Sequence, residues 1–205
     1  RGWARILPPL NALARAEVRI SVETRHAAVM TRATAVGAAI INDVQALQGK
    51  DAMKAAAASG APVIMMHMKG APKTMQQDPV YDFAPVEIYK FLKQRVAAAI
   101  AAGIPASSIA IDPGFGFGKT VTHNLQLVNW LSLFHGLGVV VLFGASRKSS
   151  IAKISAGEPA EARLAGSLAL AAAAWRQSAQ IIRVHDVAET AQALAVETAL
   201  RATDS

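Results

Sequence analysis

Polar side chains that could bind a ligand directly follow several short apolar runs of this sequence. They comprise acids, an amide, a hydroxyl and bases: Glu23, Asn42, Asp43, His67, Asp112, Ser146, Lys148, Arg183, His185 and Asp186. One polar residue after one apolar run means little, because every strand must end somewhere. The same arrangement after six runs, with such mixed chemistry, indicates a site built where strands end.

Asp112 stands in the most distinctive of these stretches. The apolar run Ile109–Ile111 precedes it, and Pro113 and three alternating glycines follow it. An apolar strand, an acid, a flexible loop and a helix are how an α/β protein presents a side chain to a ligand. An acid before Pro-Gly could instead simply stabilise the turn, and we favour a ligand-binding role for Asp112. The later Gly-Lys-Thr is typical of a phosphate loop, but Pro113 occupies the position that needs the first glycine of that motif.

The bases fall into two groups. The segment Ser146–Ser149 concentrates donors that suit an anion or a ring nitrogen, and Lys148 is its candidate ligand residue; the alternative is a solvated cation. Arg183 and His185 are two residues apart, so their side chains point to the same side of an extended segment. Two adjacent donors of this kind can hold a phosphate group.

Several other polar residues have structural alternatives. Asn42 and Asp43 could form an Asx turn or a helix entry, and a ligand role is favoured for Asn42. His67, between two methionines, is more typical of a packed core histidine. Three more are typical of loop and cap residues: Lys119, His123 and Asn124. No spacing of His, Asp and Glu predicts a zinc site.

The elements that must position these residues alternate along the chain. Six short apolar runs predict strands over Val18–Val22, Ala38–Ile41, Val63–Met66, Ile109–Ile111, Val139–Phe143 and Ile181–Val184. Helices are predicted over Arg1–Arg15, Arg25–Val36, Asp51–Ser59, Ala84–Ala102, Asn124–His135, Glu158–Gln177 and Val187–Arg201. Continuous apolar runs are typical of parallel strands buried on both faces, and strict alternation with helices implies right-handed crossovers. In a β/α barrel the carboxyl ends of such strands gather at one face, where chemistry is built.

Composition narrows the class of ligand. The chain has 205 residues, which predicts a single domain over 1–205, and a net charge of +7. Its basic residues are scattered and only 5% of residues are aromatic, so we expect no nucleic-acid partner; a basic surface also suits an anionic small molecule. We expect no membrane span and no secretory signal. The absence of cysteine excludes disulfides and fits a cytoplasmic protein.

Five segments, taken together, resemble the dihydropteroate synthase family. They occur in the order and at the separations of that family: Ile41–Val44, Met66–Met75, Asp112–Lys119, Ser146–Ser149 and Arg183–Val187. The resemblance covers essentially the whole chain and implies a TIM (β/α)8-type barrel. It implies a cytoplasmic transferase of folate biosynthesis, a sulfonamide target, that joins 6-hydroxymethyl-7,8-dihydropterin diphosphate to p-aminobenzoate and releases diphosphate.

The resemblance also implies a role for each matched residue. Pterin contacts would come from Glu23, Asn42, Met66, Asp112, Phe117 and Lys148. The p-aminobenzoate pocket would be bordered by Phe117, Lys148 and Ser149. Arg183 and His185 would hold the diphosphate and, with Lys148, are the implied catalytic residues. Mg2+ is the implied cofactor, with no protein ligand expected from this chain, and a homodimer is the implied assembly.

Two departures from the family pattern matter. The family begins with two further βα units whose loops carry the Mg2+-binding Asn and much of the p-aminobenzoate pocket, so we expect six of the eight units here and an N-terminally truncated domain. Glu23 stands where the family has Asp, and the extra methylene moves the carboxylate by about 1.5 Å. Two alternatives therefore stay open. One is a pterin-binding methyltransferase-type barrel, and the other is an inactive truncated homologue that binds pterin weakly with little turnover.

Overall fold

The computed structural model describes residues 2–13, 18–70 and 79–203. Its strands are β1 (Ser21–Glu23), β2 (Ile40–Asp43), β3 (Val63–Met66), β4 (Ile109–Asp112), β5 (Val140–Phe143) and β6 (Ile181–Ile182). They follow chain order in the sheet, β1-β2-β3-β4-β5-β6. Each overlaps one of the predicted strands, so the apolar runs identified all six.

Helices separate the strands. They are α1 (Gly2–Leu13), α2 (Ala27–Ala35), α3 (Ala52–Ser59), α4 (Ala84–Ala101), α5 (Val121–Asn129), α6 (Ser149–Ile154), α7 (Leu164–Arg176) and α8 (Val187–Ala202). Short 3-10 helices cover Ala106–Ser108, Leu131–Leu137 and Ala160–Ala162. None of the helices in the described residues has the length and apolar character needed to cross a membrane.

The chain divides into two compact units. The first comprises Arg1–His67 and Lys90–Ile111, and within it β1 pairs with β2 and β2 with β3, all parallel. Leu10 of α1, Val22 of β1 and Ala33 of α2 form one buried hydrophobic cluster with Ala38. The register places Glu23 opposite Asn42, so two of the predicted site residues are neighbours at the ends of β1 and β2.

The second unit comprises Met68–Tyr89 and Asp112–Ser205. Its strands β5 and β6 are parallel, with Leu142 opposite Ile181 and Phe143 opposite Ile182. The rings of Phe115 and Phe143 meet edge to face, with centroids 5.6 Å apart, and both are buried. This aromatic contact joins the glycine-rich loop to the end of β5.

Some predicted boundaries were wrong. The helix predicted over Glu158–Gln177 is a 3-10 turn followed by α7, and the short helix α6 was not predicted at all.

Asp51 occupies the position before α3, but its side chain makes no capping hydrogen bond. Its φ of 58° is left-handed, whereas a capping residue has extended backbone. The end of the Met66–Met75 motif, from residue 71 onward, lies outside the described residues.

Candidate functional site

Asp112, the last residue of β4, is a buried carboxylate. Its side chain is 7% exposed, and Oδ1 accepts a hydrogen bond from the Gly114 N–H at 2.7 Å. Burial raises the pKa of Asp112, and the Gly114 N–H and the charges of Lys148, Lys119 and Arg183 act in the opposite direction. A buried acid facing three cations can accept hydrogen bonds from a polar ligand without being exposed to bulk water.

Lys119 is buried within the glycine-rich loop, Gly114–Gly118, and stabilises it by hydrogen bonds to its carbonyl groups. Its side chain is 3% exposed, and Nζ donates to the carbonyl oxygens of Gly114 at 2.8 Å and Phe117 at 3.0 Å. Burial lowers the pKa of this ammonium to about 7. Asn124 supports the same loop, because its Oδ1 accepts from Gly116 N–H at 2.7 Å. The structural interpretation of Lys119 and Asn124 is therefore supported.

The path of the loop leaves no room for a side chain at Gly118. Its φ is +64°, and a Cβ there would lie 2.2 Å from the carbonyl oxygen of Lys69. The Tyr81 hydroxyl donates to the Gly118 carbonyl at 3.0 Å. The backbone next to Phe117 is therefore fixed from two directions.

Lys148 lies against this loop. Its Nζ donates to the Phe115 carbonyl at 2.9 Å and stands 3.9 Å from the centroid of the Phe117 ring. A cation this close to an aromatic face is attracted by the ring. Three of the residues predicted from sequence, Asp112, Phe117 and Lys148, thus belong to one local arrangement. Ser149 is exposed at the first turn of α6.

Two side-chain pairs lie beyond the ends of β5 and β6. Ser146 Oγ accepts the backbone N–H of His185 at 3.2 Å and lies 3.0 Å from its Nδ1. The Arg147 guanidinium makes two hydrogen bonds to the Asp186 carboxylate, one of 3.0 Å from Nε to Oδ2. Arg183 and His185 are exposed and the residue between them is half-buried, which is the alternation predicted for an extended segment.

The predicted residues of the first unit differ in their environments. Glu23 is exposed, whereas Met66 is 2% and Asn42 7% exposed. Asn42 Oδ1 is buried and finds no hydrogen-bond partner within the part of the chain that the structure describes. A buried amide oxygen without a partner is costly, so Asn42 is well suited to receive an N–H group of a ligand.

Asp43 and His67 have structural roles. Both carboxylate oxygens of Asp43 accept backbone N–H groups, from Gln45 at 2.8 Å and from Leu47 at 3.0 Å, as in the Asx-turn alternative. Burial raises the pKa of Asp43. The His67 ring packs edge to face on Phe91, with centroids 5.0 Å apart, which supports its interpretation as a core histidine.

Sequence reasoning missed Arg95 on α4. Its Nε donates to the Ala46 carbonyl oxygen at 2.8 Å, and its Nη2 donates to the Leu47 carbonyl oxygen at 3.2 Å. Ala46 and Leu47 have positive φ, so this cation stabilises the turn after Asn42 and Asp43 in an uncommon conformation. No local motif marks Arg95, because its partners are 48 and 49 residues away.

Comparison with known proteins defines the family. Residues 1–185 match the family model described as pterin binding enzyme. The dihydropteroate synthase of Escherichia coli strain K12 is 46% identical over 193 residues, which are 94% of this chain and 68% of the relative. The chain belongs to the dihydropteroate synthase family.

Solved dihydropteroate synthases have the same fold. The Yersinia pestis enzyme in a sulfonamide complex matches with a TM-score of 0.94 and 44% identity, over 98% of this chain and 73% of that one. The Xanthomonas albilineans enzyme with 4-aminobenzoic acid matches with a TM-score of 0.91 and 42% identity, over 97% and 71%. The predicted fold class, six βα units of a TIM-type barrel, is confirmed, as is the predicted class of enzyme, a dihydropteroate synthase-type transferase.

Proposed function

We propose that this chain binds 6-hydroxymethyl-7,8-dihydropterin diphosphate and condenses it with p-aminobenzoate to give 7,8-dihydropteroate and diphosphate. The observation that carries the proposal is the buried Asp112 carboxylate, flanked by Lys148 and by the glycine-rich loop. Family membership supplies the reaction, and this arrangement supplies a physical reason for pterin recognition.

The pterin ring presents adjacent N–H donors, which match a carboxylate. Asp112 accepts them with its ionised oxygens, and the charges of Lys148, Lys119 and Arg183 favour that ionised form. The resemblance also assigns Asn42 to the pterin, and its buried Oδ1, which has no hydrogen-bond partner within the described residues, is available to accept an N–H group. By the same resemblance, Met66 would pack on the ring, and Glu23 would contact it with a side chain one methylene longer than the family's aspartate.

Arg183 and His185 hold the diphosphate. In the reaction the C–O bond between the pterin methylene and the diphosphate breaks, and its electron pair leaves with the diphosphate oxygen. The amine nitrogen of p-aminobenzoate forms the new C–N bond and loses a proton. Exposed donors on the segment after β6 stabilise the negative charge that develops on the leaving group. Positioning and electrostatics supply most of the rate, because diphosphate leaves readily.

Phe117, Lys148 and Ser149 border the p-aminobenzoate pocket in this proposal. The Phe117 ring and the Lys148 ammonium are already in contact, at 3.9 Å. An aromatic face and a cation suit a flat ring that carries a carboxylate. A sulfonamide, which resembles p-aminobenzoate in shape, would compete for the same position.

We propose that Mg2+ binds together with the diphosphate group of the substrate. In residues 2–13, 18–70 and 79–203, no group of three or more His, Asp or Glu side chains is placed to hold a metal ion. Bound with substrate phosphates, the ion would neutralise charge on the leaving group, and the roles assigned to Asp112 and Lys148 do not depend on it.

A single-turnover assay tests the proposal. Chain in excess over pterin diphosphate is mixed with p-aminobenzoate and Mg2+, and dihydropteroate and diphosphate are quantified by chromatography. We expect equal amounts of both products, formed slowly, and none with Lys148→Ala. Pterin diphosphate that binds but is never converted would favour the binding-only alternative. Binding of methyltetrahydrofolate without binding of pterin diphosphate would favour the methyltransferase-type alternative.

Three further expectations rest on the resemblance. We propose a homodimer, to be tested by analytical ultracentrifugation; Val196 and Leu200 lie four residues apart on α8 with 57% exposure each and supply an apolar surface. The single-domain organisation stays a prediction that one cooperative unfolding transition would support. The cytoplasmic location stays a prediction that cell fractionation would test.

A further inference from the structure

The parallel register of β5 and β6 continues past the point where the strands end. Leu142 pairs with Ile181 and Phe143 with Ile182 in the backbone ladder. Ser146 pairs with His185 and Arg147 with Asp186 through side chains, and the residues of both pairs are 39 positions apart, as in the strands. Side chains therefore hold the segments after β5 and β6 together where the backbone ladder has stopped. We call the two side-chain pairs the loop ladder.

The first pair of the loop ladder holds the imidazole ring of His185 through the Ser146 hydroxyl. Ser146 is 7% exposed, and its Oγ receives the His185 backbone N–H, which fixes the hydroxyl relative to the ring. The same Oγ lies 3.0 Å from Nδ1. A serine hydroxyl can accept from a protonated Nδ1 or donate to an unprotonated one. When the hydroxyl donates to Nδ1, the proton of a neutral imidazole is on Nε2, which can then donate to an anion. A neutral ring protonated at Nδ1 instead would leave Nε2 without a hydrogen to donate.

The second pair neutralises a negative charge that would oppose such an anion. Asp186 adjoins His185, and an unpaired carboxylate there would repel a diphosphate. The Arg147 guanidinium binds it through two hydrogen bonds, and these hydrogen bonds lower the pKa of Asp186. The backbone of Arg147 is held in turn, because its N–H donates to Ser167 Oγ at 2.9 Å and its carbonyl accepts from Arg163 at 2.9 Å. The ladder is thus anchored to α7.

We propose that Ser146 is a positioning residue for the reaction: its hydroxyl accepts the His185 backbone N–H and donates to Nδ1, which fixes the orientation of the ring and leaves the ring proton on Nε2, the nitrogen presented to the diphosphate. The Arg147–Asp186 pair is the second support. The inference rests on the proposed function, in which His185 holds the diphosphate. Ser146 itself touches His185 and not the substrate.

Three variants test this role: Ser146→Ala, Ser146→Thr, which keeps the hydroxyl, and the control Ser132→Ala at an exposed position. Long-range 1H–15N NMR reports the state of the imidazole nitrogens, and the spectrum of His185→Gln identifies the His185 signals among the five histidines. Calorimetry measures affinity for inorganic pyrophosphate and, separately, for 6-hydroxymethylpterin, which has no diphosphate.

Loss of one hydrogen bond that orients a donor predicts about a 5-fold weaker binding of pyrophosphate in Ser146→Ala. We expect shifted His185 ring signals in the same variant, unchanged binding of 6-hydroxymethylpterin, and recovery of pyrophosphate affinity in Ser146→Thr. Ser132→Ala should match wild type in all three measurements.

Two results would overturn the proposal. One is wild-type pyrophosphate affinity with unshifted His185 signals in Ser146→Ala. The other is an equal loss of both ligands, which indicates a general structural brace. If wild type itself binds no pyrophosphate, the diphosphate role of His185 fails, and the proposal fails with it for that separate reason.

Discussion

Gly118 offers a test of how tightly the loop beside Phe117 is fixed. In Gly118→Ala the new Cβ would lie 2.2 Å from the Lys69 carbonyl oxygen. An ordinary carbon–oxygen contact is about 3.3 Å or longer, so backbone must move by roughly 1 Å. The clash involves main chain and not the end of a flexible side chain, so it cannot be relieved by a rotamer change.

Gly138→Ala is the matched control. Its φ of +69° is close to the +64° of Gly118, and nothing lies within 4 Å of its Cβ position. Both variants therefore carry the cost of a left-handed alanine, about 1–2 kcal/mol. Gly118→Ala alone adds the cost of forcing atoms into a packed region, about 1–3 kcal/mol. We expect the free energy of unfolding to fall by about 2–5 kcal/mol for Gly118→Ala and by about 1–2 kcal/mol for Gly138→Ala.

Urea unfolding, followed by circular dichroism, measures the difference. Titration with 6-hydroxymethylpterin at low urea then shows whether the displaced loop also weakens binding, as we expect for Gly118→Ala only. Equal losses of stability in the two variants, with equal pterin affinity, would refute the claim that the Lys69 contact fixes the loop.

Three further predictions follow from charge and burial. Because the pKa of Lys119 falls to about 7 in the folded protein, against 10.5 for an ordinary lysine, the unfolded chain binds more protons between these values. The stability of wild type relative to Lys119→Met should therefore rise by roughly 1.4 kcal/mol per pH unit across that window, and a flat difference in urea unfolding would contradict it. Because burial raises the pKa of Asp112, pterin affinity measured by calorimetry should fall as the pH is lowered through the raised value, whereas Asp112→Asn should bind roughly 10- to 100-fold more weakly with little pH dependence. Arg95→Met should lose about 2–4 kcal/mol, since two charge-assisted hydrogen bonds disappear, whereas Lys93→Met, at an exposed position on the same helix, should change the unfolding midpoint little.

The sequence was informative where local chemistry repeats. An apolar run followed by polar residues located the ends of β2, at Asn42 and Asp43, and of β4, at Asp112, because the polar residues there interrupt the apolar pattern of a strand buried on both faces. It also ranked Asn42 above Asp43 as a ligand candidate. The structure supports the turn role of Asp43, whereas the ligand role of Asn42 stays a prediction, and its unpartnered amide oxygen became visible only in three dimensions.

Contacts between distant segments could not be predicted. The burial of Lys119 depends on the fold of its loop around two carbonyls, and its sequence position is that of any solvated lysine. The role of Ser146 depends on a register shared with a segment 39 residues later. Arg95 acts on a turn 48 and 49 residues away. Helix α6 was missed because its six residues are too few to show a helical period.

The most direct test of the central claim compares two ligands that differ only in the diphosphate. Wild type, Asp112→Asn, Arg183→Met and the surface control Asp82→Asn are titrated calorimetrically with 6-hydroxymethylpterin and with its diphosphate. The account predicts that wild type and the control bind the diphosphate form more tightly. Asp112→Asn should weaken both ligands in proportion, and Arg183→Met should remove only the advantage of the diphosphate. Equal affinity of wild type for the two ligands, or full pterin affinity in Asp112→Asn, would contradict the assignment of pterin to Asp112 and of diphosphate to the segment after β6.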